Sequence, residues 1–260
     1  MSEQIFDIGD IELVQSVKDM LDTKGWWLLK GYPVDTKSVK DLEKELTQIC
    51  SAIGKPVAHD AEGAIVWNIK AAATAKGSVI TYSQHSHEAD LHTDSQYSDY
   101  PEDYFSLLTL EKAKCGGGQS YILTLEDIID ELHQTADGRE AYTVLSTTYF
   151  PFIVPNVFKK NKESDVPEIV FGKIITNDNE IRFRVDTIQK ALEHDPSFCT
   201  KEQIKAFSIL VKLVRETRRT IKFHLEKGDL VIINNKKTLH GRSSFTDADR
   251  HLLRVRMNKI

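Results

Sequence analysis

The chain has 260 residues, 40% of them apolar, which is enough for one sizeable core or two small ones. A formal charge of −5 gives no overall electrostatic support to a nucleic-acid partner. Three widely spaced cysteines (Cys50, Cys115 and Cys199) form no disulfide framework or zinc knuckle, no apolar run reaches the length of a membrane span, and the N-terminus lacks the basic-then-apolar pattern of a signal peptide. The expectation is a cytoplasmic protein with reduced thiols and no membrane contact.

Residues 10–23 place Ile11, Leu13, Val14, Val17 and Leu21 at helical spacing, and Gly25 ends the pattern. Trp26-Trp27-Leu28-Leu29 reads as a buried strand closed by Gly31-Tyr32-Pro33. A second helix is predicted over 37–52 and a strand over 65–69. Residues 71–91 are rich in small and polar residues and lack periodicity. A loop of that length running into a histidine motif reads as an active-site lid. Strands are predicted at 104–110 and 119–123 around the Gly116-Gly117-Gly118 turn, then a helix at 125–134. Tyr142–Phe150 is predicted to be a strand on its β-branched and aromatic content. Lys159, Lys160 and Lys162 read as a solvated loop. Residues 168–176 and 180–185 read as a hairpin across Asn177-Asp178-Asn179.

Asp186 with Gln189 and Thr200 with Gln203 each fit a helix capping box. The second of these helices is expected to bury Ile204, Phe207, Leu210, Val211 and Val214. Strands are predicted at 220–225, 229–234 and 251–258. Many strands without regular βα alternation predict a mainly β fold with helices packed outside, in a closed or two-sheet arrangement.

The chemistry concentrates in His92-Thr93-Asp94, answered by His240 and then Arg250. In an extended segment residues i and i+2 share a face, so His92 and Asp94 converge while Thr93 points away. Two imidazoles and a carboxylate suit divalent iron and leave coordination positions open. Arg250 can pair the carboxylate of a bound organic acid through paired N–H donors. Arg250, Leu252 and Arg254 share a strand face, and two inward guanidiniums require anionic partners. Arg256 is expected to face the surface. Two rivals stand beside this set: His224-Leu225-Glu226 repeats the His-x-acid spacing, and His85, His87 and Asp90 could hold zinc for a hydrolase. A non-catalytic jelly-roll binding protein is a third reading.

The ordered set resembles the iron(II)/2-oxoglutarate-dependent oxygenases of the taurine dioxygenase (TauD/TfdA) family and its clavaminate-synthase-like branch. The resemblance runs from Gly25–Gly31 through His92-Thr93-Asp94, Pro101–Tyr104 and Gly117-Gly118-Gln119-Ser120 to Asn235–Gly241 and Asp249–Arg254. It implies a double-stranded β-helix, or jelly roll, over one domain of residues 1–260. It further implies that His92, Asp94 and His240 ligate Fe(II), and that Arg250, assisted by Ser120, pairs the distal carboxylate of 2-oxoglutarate. O2 would be the other cosubstrate, and the products succinate and CO2. Threonine is usual at the place of Ser120. Arg254 occupies the place of an arginine that meets a substrate carboxylate. Asp94 stands where related halogenases have a small residue, which implies hydroxylation, or a variant such as desaturation, and excludes chlorination. The substrate implied is a small carboxylate, a free basic or polar amino acid or a derivative. His87 and Asp90 are candidate contacts to it from the lid.

Overall fold

The computed structural model describes residues 9–60, 62–70, 85–161 and 166–260. Two helices open the chain, α1 (Ile11–Thr23) and α2 (Val39–Ile53), with strand β1 (Trp26–Leu29) between them. Asp10 and Ser38 cap the two helices by accepting from the amides of Leu13 and Asp41, each satisfying a donor that a helix start leaves open. The next strands are β2 (Lys55–Val57), β3 (Val66–Lys70), β4 (Ala89–His92), β5 (Tyr104–Glu111) and β6 (Ser120–Thr124). Helices α3 (Leu125–His133) and α4 (Ala136–Thr147), strands β7 (Phe150–Ile153) and β8 (Ile169–Gly172), and helices α5 (Val185–His194) and α6 (Lys201–Glu216) follow. The chain ends with β9 (Ile221–Phe223), β10 (Leu230–Asn234), β11 (Thr238–Arg242) and β12 (His251–Asn258). Among the described residues no helix is long and apolar enough to cross a membrane.

The strands form two antiparallel main sheets. The larger has the order β1-β10-β5-β12-β2, with β3 also paired to β12; the smaller has the order β4-β11-β6-β9. Ile122 of the smaller sheet packs with Ile69, Phe105, Val231, Ile233 and Leu252 of the larger, so an apolar layer lies between the two sheets. Outside the larger sheet, α1 and α2 bury Val17, Leu21, Leu42, Leu46 and Ile49 against Leu108, Ile232, Leu253 and Val255. Outside the smaller sheet, α3, α4 and α6 bury Ile128, Leu145 and Leu210 with Leu123 and Leu239. Strand alternation therefore sorts β12: Leu253, Val255 and Met257 face the helices, while Leu252, Arg254 and Arg256 face between the sheets. This is a mainly β jelly roll with helices packed on its outside.

Several expectations are corrected. Tyr142–Thr147 belongs to α4, which Thr135 caps. Its hydroxyls are satisfied inside the helix, since Thr143, Ser146 and Thr147 donate to the carbonyls of Arg139, Tyr142 and Thr143. Packing of Ala141 and Leu145 in the α3–α6 core overrides the β-branched composition. The predicted hairpin keeps its turn and the pairing next to it, with Thr176 N bonded to Glu180 O and Arg182 N to Ile174 O, and its arms diverge beyond. β8 pairs with β7, and only an isolated bridge joins Ile175 to Ile181. α5 starts at Val185, and Asp186 lies in its first turn, paired with Arg184 rather than capping. The Thr200–Gln203 capping box is present, and α6 buries Phe207, Leu210 and Val214 but leaves Ile204 exposed. Lys159 is buried rather than solvated, and Lys162 lies outside the described residues. The same holds for residues 71–84 of the expected lid; of the rest, 89–91 are strand.

Candidate active site

β11 and β4 are antiparallel neighbours, and His240 stands directly opposite His92. Their rings lie 4.4 Å apart between centroids. Asp94 follows two residues after His92, and Ser95 takes a left-handed φ of 49°, turning the chain away at once. The potential ligand atoms of His92, Asp94 and His240 lie within 4.8 Å of one another, in the one group of metal-holding geometry among the described residues. Nε2 of His92 is 3.7 Å and Nε2 of His240 3.6 Å from the two oxygens of Asp94. His92 Nδ1 bonds the carbonyl of Asp90 at 2.7 Å, which fixes the ring and leaves Nε2 for the centre. Asn235 braces the acid from below. Its Oδ1 accepts from the Asp94 amide at 2.8 Å, while its Nδ2 donates to the carbonyls of Asp94 and Glu102.

Burial pushes both imidazoles below their ordinary range, His240 well below, with the neighbouring His92 adding to the shift. Burial pulls the Asp94 carboxyl upward, but the cations around it, led by Arg254, hold it well below the usual carboxylate range. Two neutral imidazoles beside an ionised carboxylate are the protonation state a metal requires. The donor set of two nitrogens and one carboxylate, with no sulfur, fits divalent iron.

Arg250 and Arg254 come from the β12 segment of the larger sheet, and Arg242 from β11 of the smaller one. Arg254, on the inner face of β12, donates to Asp94 Oδ2 and lies over the Phe105 ring, 4.6 Å from its centroid. Its Nε is buried and has no hydrogen-bond acceptor among the described residues. Arg250 is 7% exposed, and no acid pairs it among the described residues. Burial, with the Arg242 charge adding to it, pulls its pKa down to about 9. A buried cation with that much unmet demand suits an anionic ligand. Gly118, at φ 74°, lets the chain pass close to it: a Cβ there would come within 3.5 Å of Arg250 Nε. Arg242 and Arg250 both lie near the Phe245 ring, at 4.6 and 5.1 Å from its centroid. Arg242 also ties down residues 85–87 by donating to the carbonyls of His85 and His87.

Arg256 does not face away. Parity places it with Arg254, and its Nε meets the buried Glu102 carboxylate at 2.8 Å. Glu102 and Asn235 are the site residues that the sequence reading left without a role; each lies inside a motif already singled out. Ser120 is half-buried on β6, opposite Arg242 of β11 and Phe223 of β9. The side chains of His87 and Asp90 are exposed. The rivals do not assemble: His85, His87 and Asp90 form no metal-holding group among the described residues, and Glu226 pairs Lys112 instead of joining His224.

The profile of the taurine catabolism dioxygenase TauD, TfdA family matches residues 3–256. The chain belongs to that family. A search of the curated proteins found no sequence match. Among solved structures, an asparagine oxygenase in complex with Fe(II), 2S,3S-3-hydroxyasparagine and succinate is similar. It has a TM-score of 0.74 and 16% identity, over 95% of this chain and 79% of that one. The non-heme iron oxygenase OrfP with Fe and alpha-ketoglutaric acid gives 0.66 and 17%, over 96% and 84%. PvcB from Pseudomonas aeruginosa gives 0.63 and 16%, over 94% and 79%. At these identities the likeness shows the fold of this TauD/TfdA member.

Proposed function

We propose that the chain is an iron(II)- and 2-oxoglutarate-dependent dioxygenase that hydroxylates a free amino acid or a close derivative. The reading rests on one observation: two buried guanidiniums, Arg250 and Arg254, lie on the inner side of the β12 segment, in the sheet that faces the His92–Asp94–His240 cluster. His92, Asp94 and His240 would hold the iron. Arg250 would pair the distal carboxylate of 2-oxoglutarate, assisted by Ser120. Bound together with O2, these groups supply an oxidant for an unactivated C–H bond, and the keto acid leaves as succinate and CO2.

The chain's own residues bind and orient. Asn235 fixes the backbone of Asp94, which sets where its side chain starts. Arg254 holds one oxygen of that carboxylate and keeps Nε open toward a second anion, which suits the carboxylate of a substrate. Such positioning by fixed side chains contributes much of what a protein adds to this chemistry. The amino-acid reading is supported by the similar structures, since the asparagine oxygenase holds a hydroxyasparagine and OrfP has been seen with (3S)-hydroxy-L-Arg. Asp94 fills the acid position, which favours oxygen transfer over chlorination. The three cysteines are free thiols, consistent with a cytoplasmic setting.

The test is a panel of amino acids with Fe(II), 2-oxoglutarate and O2, followed by mass spectrometry. A product heavier by one oxygen, with matching succinate, is expected for at least one member. Succinate production that no amino acid stimulates would remove the substrate assignment.

A further inference from the structure

β5 alternates like the other strands of its sheet. Phe105 and Leu107 pack in the layer between the sheets, whereas Leu108 and Leu110 pack under the helices. Thr109 shares the parity of the inner set. It is 1% exposed, and its Oγ1 has no hydrogen-bond partner among the described residues. Its backbone is fully used, the amide donating to Asp229 O and the carbonyl accepting from Gly228 N. A buried hydroxyl with no partner destabilises a fold. Here that cost falls beside the buried arginine that lacks an acid. Thr109 stands opposite Leu252 on β12, and Thr109 and Arg250 line one cleft together with Gly118, Leu225 and Leu252. Ser120 is not among the residues lining it.

We propose that Thr109 is a cosubstrate-binding residue, its Oγ–H donating to the same distal carboxylate of 2-oxoglutarate that Arg250 pairs. This rests on the function proposed above. Arg250 supplies charge and two N–H groups, and the threonine supplies a directional donor from the neighbouring strand. A hydrogen bond to a charged acceptor is stronger than one between neutral groups. The hydroxyl, which no protein group among the described residues satisfies, gains a charged acceptor on binding, and that gain appears as affinity.

The test compares full-length wild type with Thr109→Val, Thr109→Ser and Ser120→Ala. One readout is the thermal midpoint of the protein without iron or cosubstrate. The other is an anaerobic titration with Fe(II) and 2-oxoglutarate, followed by the visible charge-transfer band. Thr109→Val keeps the shape and removes the unpaired hydroxyl, so its midpoint should equal or exceed that of wild type. Its 2-oxoglutarate dissociation constant should rise about tenfold. Thr109→Ser should return the affinity toward wild type. Ser120→Ala should cost less than Thr109→Val. Opposite signs in stability and affinity cannot come from a residue that only packs. Wild-type affinity in Thr109→Val, or a parallel loss of midpoint and affinity, would overturn the assignment. A wild type that shows no band with iron and 2-oxoglutarate would overturn the proposed function and this inference with it. A wild-type band with an unshifted Thr109→Val would overturn this inference alone.

Discussion

The two sheets of the jelly roll divide the work. The smaller sheet brings two imidazoles together by simple register, with His92 and His240 facing across β4 and β11. The larger sheet carries the cations that surround the carboxylate, Arg254 and Arg256 on β12, with Arg250 just before that strand; of the buried arginines only Arg242 belongs to the smaller sheet among the described residues. Each set alone is incomplete. The imidazoles need a carboxylate, and Asp94 supplies it only because Arg254 and Asn235 hold that side chain and its backbone. Histidine placement is a matter of pairing within one sheet; charge placement depends on contacts between the sheets, so it should be the more fragile of the two.

Removing the link between the sheets should have the largest effect. Asp94→Ala should abolish succinate formation. It should also lower stability by about 3–5 kcal/mol, because Arg254 is left buried without its carboxylate. Urea unfolding checks the second part. His92→Ala should abolish activity equally but cost less stability, since no buried cation loses its partner. Equal destabilisation by the two would break the contrast between sheets.

Arg250→Ala should raise the apparent KM for 2-oxoglutarate about a hundredfold, the scale expected when one partner of a buried charge pair is truncated. The KM for the amino acid should move much less. Arg254→Lys should show the reverse split, with the amino-acid KM rising about tenfold, because a point charge replaces a planar fork. Steady-state kinetics with each substrate varied in turn distinguishes the two.

Glu102→Gln should destabilise by about 2 kcal/mol, a value between buried and exposed pairs because Arg256 keeps partial access to solvent.

The last effect is on pH dependence. Burial, together with the Arg254 and Arg256 charges, pushes His59 down to about 3, and burial also lowers His92 and His240. The unfolded chain takes up these protons near pH 6.5 and the folded chain does not. Their contribution is thus fully present above about 6.5 and is lost progressively as pH falls toward 3. The thermal midpoint of the metal-free protein should therefore fall between pH 7 and pH 5. A flat profile would show that these histidines titrate normally.

Much of the site was legible because period-two alternation is a short-range rule. It placed His92 with Asp94 and Arg250 with Arg254 from the sequence alone. Applied one step further, the same rule sets Arg256 on the inner face, where Glu102 meets it. Thr109 was equally open to it, as the polar member of an inner face otherwise made of Phe105 and Leu107. Asn235 was less accessible. Its role depends on three backbone groups from the 94–103 loop, and no local spacing encodes such a contact. The Tyr142–Thr147 helix was hidden for a different reason. Its threonines bond back to their own turns, and its burial is set by α3 and α6, so tertiary packing decided against composition. The Thr200–Gln203 capping box was readable because both partners lie within four residues.

In the proposed function, imidazoles from one sheet and a guanidinium from the other meet at a single iron and 2-oxoglutarate site. Its most direct measurement is the visible absorption of the anaerobic protein with Fe(II) and 2-oxoglutarate. A weak charge-transfer band is expected in wild type, with its loss in His92→Ala and its return only at far higher 2-oxoglutarate in Arg250→Ala. An unchanged band in His92→Ala, or wild-type 2-oxoglutarate affinity in Arg250→Ala, would contradict it.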